Sequence, residues 1–172
     1  MRNGDHNLWK GVVAGAAGGL AASWVMNQFQ AAWSKAQAKL ENDQRRSHQR
    51  RSNGEDATMK AAGKIAHALL HRNLSLEEEK KLGPVIHYAF GAGMGAVYGA
   101  AVEIVPRAKF GAGLPYGAAV FLGADEVAVP TLGLSKPPKE YPASAHLYGL
   151  ASHLVYGLSL EMARRGIRRM LD

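Results

Sequence analysis

The most constraining feature of the sequence is a set of glycines spaced four residues apart within its apolar segments. Taken at every fourth position, residues 87–103 give His87, Gly91, Gly95, Gly99 and Glu103. On a helix these residues share one face, which would be a furrow of glycines. In water, each glycine inside a helix costs about 0.5–1 kcal/mol relative to alanine. In a bilayer, the same furrow lets another helix approach backbone to backbone, so the pattern favours a membrane-embedded helix.

Four nearly charge-free segments carry this pattern, and each is long enough to cross a hydrocarbon core about 30 Å thick. We predict an all-α integral membrane bundle of four glycine-rich transmembrane helices within one membrane domain, residues 1–172. The predicted spans are residues 8–29, 83–105, 110–134 and 143–163. The glycines expected to pack helix against helix are Gly11, Gly15, Gly19, Gly91, Gly95, Gly99, Gly113, Gly117, Gly149 and Gly157. A water-soluble bundle is the weaker alternative, because its helices should each show a polar face.

A polar segment, residues 30–82, separates the first two spans and contains 11 Lys or Arg and seven Asp or Glu. Met59 and Ala66 fall on one helical face, which predicts a partly helical segment that lies at the membrane interface. Ser75 followed by Glu78 fits a capping box that begins a helix leading into the second span.

The chain has a formal charge of +7 and a predicted pI near 9.8, and it has no cysteine. The lack of cysteine excludes disulfides, thiolate metal sites and thiol nucleophiles. The arginine-rich residues 164–169 are expected on the cytoplasmic side by the positive-inside rule, with the N-terminus and the loop after Pro106 beside them. The basic run at residues 45–51 lacks interleaved aromatics, so we expect no nucleic-acid partner.

Ionisable residues in the predicted spans fall into two layers. An outer polar cluster of imidazoles and carboxylates is predicted from His87, Asp125, Glu126, His146 and His153. Inner-face ion pairs are predicted among Glu103, Glu161, Arg107, Arg164 and Arg165. Charged groups in a bilayer are costly, so such residues mark either function or mutual pairing.

The C-terminal half, about residues 83–169, resembles the YagU-like family of bacterial inner-membrane proteins of unknown function. The resemblance rests on a frame that includes His87, Phe90, Tyr98, Glu103 and Pro106, then Pro130 and Gly133, and finally His153, Glu161, Arg164 and Arg165. It implies a bacterial inner-membrane location and brings no activity, cofactor or catalytic residue.

No sequence motif of a hydrolase, nucleotide-binding enzyme or metalloprotease is present, so we expect a protein that is not an enzyme and has no cofactor. The favoured function is a self-associating or accessory structural subunit of a membrane assembly, with the lipid bilayer and a homo-oligomer or larger complex as partners. One alternative is a proton- or ion-conducting protein that uses the outer cluster. A second alternative is a haem- or metal-binding subunit that uses His87 with His146 or His153.

Overall fold

The computed structural model describes residues 7–40, 53–70 and 75–172, and within these ranges all regular structure is helical. The α-helices are α1 (Leu8–Leu40), α2 (Asn53–Leu70), α3 (Leu76–Ile104), α4 (Leu114–Val120), α5 (Val129–Thr131) and α6 (Ala143–Met170). A π-helix, Phe121–Ala128, joins α4 to α5, and together they form one rod, the composite helix (residues 114–131). Two 3₁₀ segments, Pro106–Gly113 and Pro138–Glu140, occupy the links between the long helices. The all-α prediction is therefore confirmed.

Helices α1 and α3 pack antiparallel through a first glycine seam, formed by Gly11, Gly15 and Gly19 of α1 and by Gly91, Gly95 and Gly99 of α3. A methyl group built on Gly15 would lie 2.1 Å from the carbonyl oxygen of Gly95. One built on Gly19 would lie 2.2 Å from the carbonyl oxygen of Gly91. Only glycine lets two backbones approach this closely, which is why the four-residue spacing appears on both helices.

The composite helix and α6 form a second glycine seam of the same kind. Gly113 lies against Gly157, and a methyl group built on Gly117 would lie 2.1 Å from the carbonyl oxygen of His153. At the far end of this seam the ring of Phe121 fills the space beside Gly149. The two seams thus join four long helices in antiparallel pairs.

Helix α1 also runs antiparallel to α6 and connects the two pairs. Lys10 Nζ lies 3.5 Å from Asp172 Oδ1 at one end, and the rings of Trp33 and Tyr148 are 5.9 Å apart at the other. Between them Gly18 faces the α6 backbone near Leu160. Gly18 was not among the glycines predicted to pack helices together.

The interior is small and partly polar, whereas many of the largest apolar side chains face outward. The hydrophobic core consists of Ala22, Met26, Tyr98, Val102, Tyr156 and Leu160. Buried polar side chains are Ser23, Ser152, His153, Glu161 and Arg164. By contrast Trp9, Trp24, Val97 and Leu147 are each more than half exposed.

The helix ends differ from the predicted spans. The first helix continues past residue 29 to Leu40, and α3 begins at Leu76 rather than at residue 83. The predicted capping box at Ser75 is confirmed: Ser75 Oγ accepts from the Glu78 backbone N–H, and Glu78 Oε2 accepts from the Ser75 N–H at 2.8 Å. The last helix extends from the predicted residue 163 to Met170.

Membrane crossing is supported by length and composition for one helix. Among the helices in the described ranges, Glu77–Ile104 alone is long and apolar enough to cross a membrane. The prediction of four spans is therefore not confirmed, although four long helices are present. The first helix is rich in alanine and glycine, and charged turns extend the ends of α1 and α6.

Helix α2 packs against the start of α3. Ala62 and Ala66 are buried, and the space beside Gly83 of α3 is filled by Met59. Lys64 of α2 donates a hydrogen bond to the carbonyl oxygen of Leu132, just after the composite helix. The small face predicted to rest on lipid headgroups therefore contacts protein.

Candidate functional site

The ionisable residues gather at two opposite ends of the bundle. We call the first the polar end, formed by Asp125 and Glu126 on the composite helix and by His146 and His153 on α6. We call the second the charged end, formed by Lys10, Glu103, Glu161, Arg164, Arg165, Arg168 and Asp172. The start of α6 lies beside the end of the composite helix, where His146 contacts Glu126, and the end of α6 lies beside the end of α3, where Arg168 contacts Glu103.

At the polar end, His146 bridges two elements. Its Nδ1 lies 2.6 Å from Glu126 Oε1, and its Nε2 lies 3.1 Å from the carbonyl oxygen of Pro138. A carbonyl oxygen only accepts, so Nε2 must carry a hydrogen. His146 therefore connects Glu126 of the composite helix to the loop that contains Pro138.

The second pair at this end is His153 with Asp125. His153 Nδ1 donates to the carbonyl oxygen of Gly149 at 2.9 Å and lies 3.7 Å from Asp125 Oδ2. The imidazole is buried and lies against Phe121, with ring centroids 5.7 Å apart. The Asp125 side chain is 44% exposed, so this pair contacts the surroundings of the bundle.

The two carboxylates of the polar end are adjacent in sequence and lie in the π-helix, Phe121–Ala128. Such widened turns are rare in proteins and occur often at functional sites. Asp125 and Glu126 were predicted as members of the cluster, but no sequence signal indicated the π-helix that carries them. His87, the remaining predicted member, is half-buried on α3, one turn before Gly91, with its ring 5.7 Å from that of Tyr88.

At the charged end, Glu161 is 1% exposed and lies between two guanidinium groups. Its carboxylate accepts from Arg164 Nε at 2.7 Å and from Arg165 Nε at 2.5 Å. Arg164 is itself buried and stacks 6.0 Å above the ring of Tyr98. Because a buried carboxylate is costly without partners, this cluster is paired on both sides.

The second carboxylate at this end has a partner that was not predicted. Glu103 Oε1 accepts from Arg168 Nε at 2.7 Å, and Arg168 also pairs with Asp172. Arg107, predicted to pair with Glu103 or Glu161, forms no ion pair within the described ranges. Arg168 lies one turn beyond Arg164 on the same face of α6, and this spacing could have indicated its role. The prediction missed it because the last span was expected to end at residue 163.

Outside the bilayer-length part of α6, the pairing changes two acid–base equilibria. The hydrogen bond with Glu161 raises the pKa of the Arg165 guanidinium. The hydrogen bond from Arg168, followed by that from Lys10, lowers the pKa of the Asp172 carboxyl. The Arg165 guanidinium and the Asp172 carboxylate are therefore charged at neutral pH, and ion pairs hold this end together.

Two buried tyrosines between the ends are tied to backbone. The Tyr156 hydroxyl donates to the carbonyl oxygen of Gly91, and the Tyr116 hydroxyl donates to that of Met94, each at 2.6 Å. These hydrogen bonds connect α6 and α4 to α3. In both hydrogen bonds the acceptor is a backbone carbonyl oxygen and not another hydroxyl group.

The described side chains include no group of three or more His, Cys, Asp or Glu placed to hold a metal ion. The polar end offers two separate imidazole–carboxylate pairs instead.

Together these features define a class of protein: an all-helical bundle joined by glycine seams, with ionisable clusters at both ends. The chain belongs to DUF1440, a family of proteins of unknown function, whose model matches residues 44–162. The match spans α2, α3, the composite helix and most of α6, and it leaves α1 outside. No curated protein and no solved structure matches the chain. No named relative connects it with YagU-like proteins, so that narrower resemblance stays a prediction.

Proposed function

We propose that this chain is a multi-pass protein of the bacterial inner membrane that serves as a self-associating or accessory structural subunit of a membrane assembly, and that it is not an enzyme. The observation that carries the proposal is the inverted distribution of side chains. Many large apolar side chains face outward, whereas the small interior holds buried polar and charged side chains beside its hydrophobic core. In water such a surface would associate or aggregate, whereas lipid removes its cost.

The spacing of the two ionisable ends fits this environment. His146 and Glu161 lie 15 residues apart on α6, which corresponds to about 22 Å along a helix. A hydrocarbon core is about 30 Å thick, so both ends would lie just inside its edges. Ionisable groups at that depth need partners, and the side chains of both ends are paired in this way.

Orientation follows from the same ends. The charged end collects the arginines of α6 together with Arg107 and Lys109, so the positive-inside rule places it in the cytoplasm. Helix α2 and the polar end would then face the periplasm.

A structural role is favoured by the bonds in the middle of the bundle. Tyr116 and Tyr156 use their hydroxyls to fasten helices to one another. A continuous proton path would need hydroxyls or water linked in series. The bonds observed are those of a rigid scaffold.

The test has two steps. Membranes from cells that produce the tagged chain are washed with alkaline carbonate, and the chain should remain in the pellet. Native mass spectrometry in a gentle detergent should then give a multiple of 18.4 kDa or a stoichiometric partner. A monodisperse soluble chain in the absence of detergent would contradict membrane insertion, and a bare 18.4 kDa monomer in detergent would contradict the subunit role.

Proton handling at the polar end is a second candidate, and the 2.6 Å contact between His146 Nδ1 and Glu126 Oε1 is the observation that favours it. The chain is reconstituted in liposomes that contain a pH-sensitive dye, and a pH gradient is imposed. Glu126→Gln should slow the internal pH change, whereas Glu140→Gln, an exposed carboxylate in the neighbouring loop, should not. Equal rates for wild-type and empty liposomes would rule this function out.

A further inference from the structure

The link between α3 and the composite helix presents two exposed basic side chains. Arg107 and Lys109 are both exposed, and neither forms an ion pair in the part of the chain that the structure describes. Arg164, Arg165 and Arg168, at the same end of the bundle, each pair with a carboxylate. The two basic groups of the link are therefore available to an anion from outside the chain.

A large aromatic side chain projects beside these two groups. Phe110 is 81% exposed, and the backbone that follows it adopts positive φ at three consecutive residues, Gly111, Ala112 and Gly113. Gly113 is at the same time locked in the second glycine seam against Gly157. The turn that directs Phe110 outward is therefore anchored to α6.

Arg107, Lys109, Phe110 and Pro106 together line one open hollow of about 460 Å³. Beside it, Ile104 and Val105 are both more than half exposed and continue the apolar surface of α3. The wall of the hollow is almost entirely apolar, so Arg107 and Lys109 line it mainly with the carbon atoms of their side chains, and the apolar surface of α3 continues from it. A free anion would use the cations alone, whereas an amphiphile would use both the cations and the apolar surface.

We propose that this hollow binds one anionic phospholipid at the cytoplasmic surface. The phosphodiester lies between the Arg107 guanidinium and the Lys109 ammonium group, and an acyl chain lies along Phe110 and Val105. This inference rests on the proposed membrane embedding. Charge complementarity selects an anionic headgroup, because each basic residue near the membrane favours anionic lipid by about fivefold.

The test uses one tryptophan as a local reporter. In a variant in which all three native tryptophans are replaced by phenylalanine, Phe110→Trp places the reporter at the hollow. A second variant keeps Trp24, which is 57% exposed in the middle of α1, as the reporter of ordinary lipid contact. Both are reconstituted in vesicles of equal phosphatidylglycerol and phosphatidylcholine. Bromine is carried by one lipid or by the other, so the membrane charge never changes.

At position 110 the quenching should show that phosphatidylglycerol is enriched over phosphatidylcholine by about 25-fold, a factor of about five for each of the two basic residues. At Trp24 the two labels should quench equally. Adding Arg107→Gln and Lys109→Gln should abolish the preference at position 110. The matched pair Lys35→Gln and Lys39→Gln, exposed cations at the other end of α1, should leave it unchanged.

Equal quenching by the two labels at position 110, or a preference that survives Arg107→Gln and Lys109→Gln, overturns the lipid site and leaves membrane embedding intact. A lack of quenching at both positions overturns the embedding itself, and the site with it. The two failures are therefore distinguishable in one set of samples.

Discussion

Alanine at Gly95 should destabilise the bundle, whereas alanine at Gly93, two residues earlier on the same helix, should not. A methyl group at Gly95 would lie 2.3 Å from the carbonyl oxygen of Gly15, within the first glycine seam. A methyl group at Gly93 would meet nothing within 4 Å. The two substitutions are chemically identical and differ only in which side of α3 they change.

The size of the effect follows from the distance. Ordinary contact begins at 3.4 Å, so α1 and α3 would have to separate by about 1 Å to accept the methyl group. Overpacking of this kind costs about 1–3 kcal/mol, and each Cα–H···O hydrogen bond that the separation breaks along the seam adds about 0.5–1 kcal/mol. The gain in helix propensity is the same for both variants and cancels in the comparison. We expect Gly95→Ala to be about 2–4 kcal/mol less stable than Gly93→Ala.

Unfolding in mixed micelles measures this difference. Purified variants in a mild detergent are titrated with sodium dodecyl sulfate, and helix content and tryptophan fluorescence give the free energy of unfolding. The comparison is made between the two variants, because the wild type carries a different propensity. Equal stability of Gly93→Ala and Gly95→Ala would refute the close backbone packing of α1 against α3.

Three further predictions use the same titration or hydrogen exchange. Glu161→Gln should destabilise the bundle by about 3 kcal/mol, since two guanidinium groups lose their carboxylate, and a loss below about 1 kcal/mol would contradict the buried pairing. Tyr156→Phe should cost about 1 kcal/mol, because it removes the hydrogen bond to a backbone carbonyl. A loss of stability indistinguishable from zero would contradict the hydrogen bond from Tyr156 to Gly91. Ser75→Ala should speed amide exchange in the first turn of α3, as expected for removal of a cap worth about 1 kcal/mol, and should leave exchange near Tyr98 unchanged.

The sequence indicated which helix faces pack closely but not which helices they pack against. The four-residue spacing of Gly91, Gly95 and Gly99 identifies the surface of α3 that another backbone approaches. Any other glycine face would fit it equally well, so spacing alone could not show that α1 is the partner. That choice depends on how the links and the ion pairs arrange the helices.

The ends of the helices were harder to predict than their existence. The predicted spans end where charged residues begin, since charge marks the limit of an apolar segment. A helix continues through charged residues when its backbone bonds continue, as α1 does through Lys35 and Lys39. The capping signal of Ser75 and Glu78 predicted a helix start at this point, but that helix was expected to be short and to precede the second span, whereas the two form one continuous helix.

Most residues of the two ionisable ends were predicted from the sequence, but several of their contacts were not. Glu161 with Arg164 and Arg165 follows from helical spacing, because these residues lie three and four apart. Arg168 was missed because the last helix was expected to end too early. Arg107 was included because it follows Glu103 closely in sequence, but Pro106 lies between them and begins a different segment. The π-helix has no signature in composition or spacing that could have indicated it.

The glycine seams have a consequence for how such a chain can change over generations. A contact between two side chains can be preserved by a pair of exchanges, one larger and one smaller. At Gly15 and Gly95 each residue contacts the backbone of the other helix. Because every amino acid has the same backbone, no substitution on the partner helix can make room for a larger side chain. Variation in this protein should therefore occur mainly at its exposed positions, while the seam positions remain glycine.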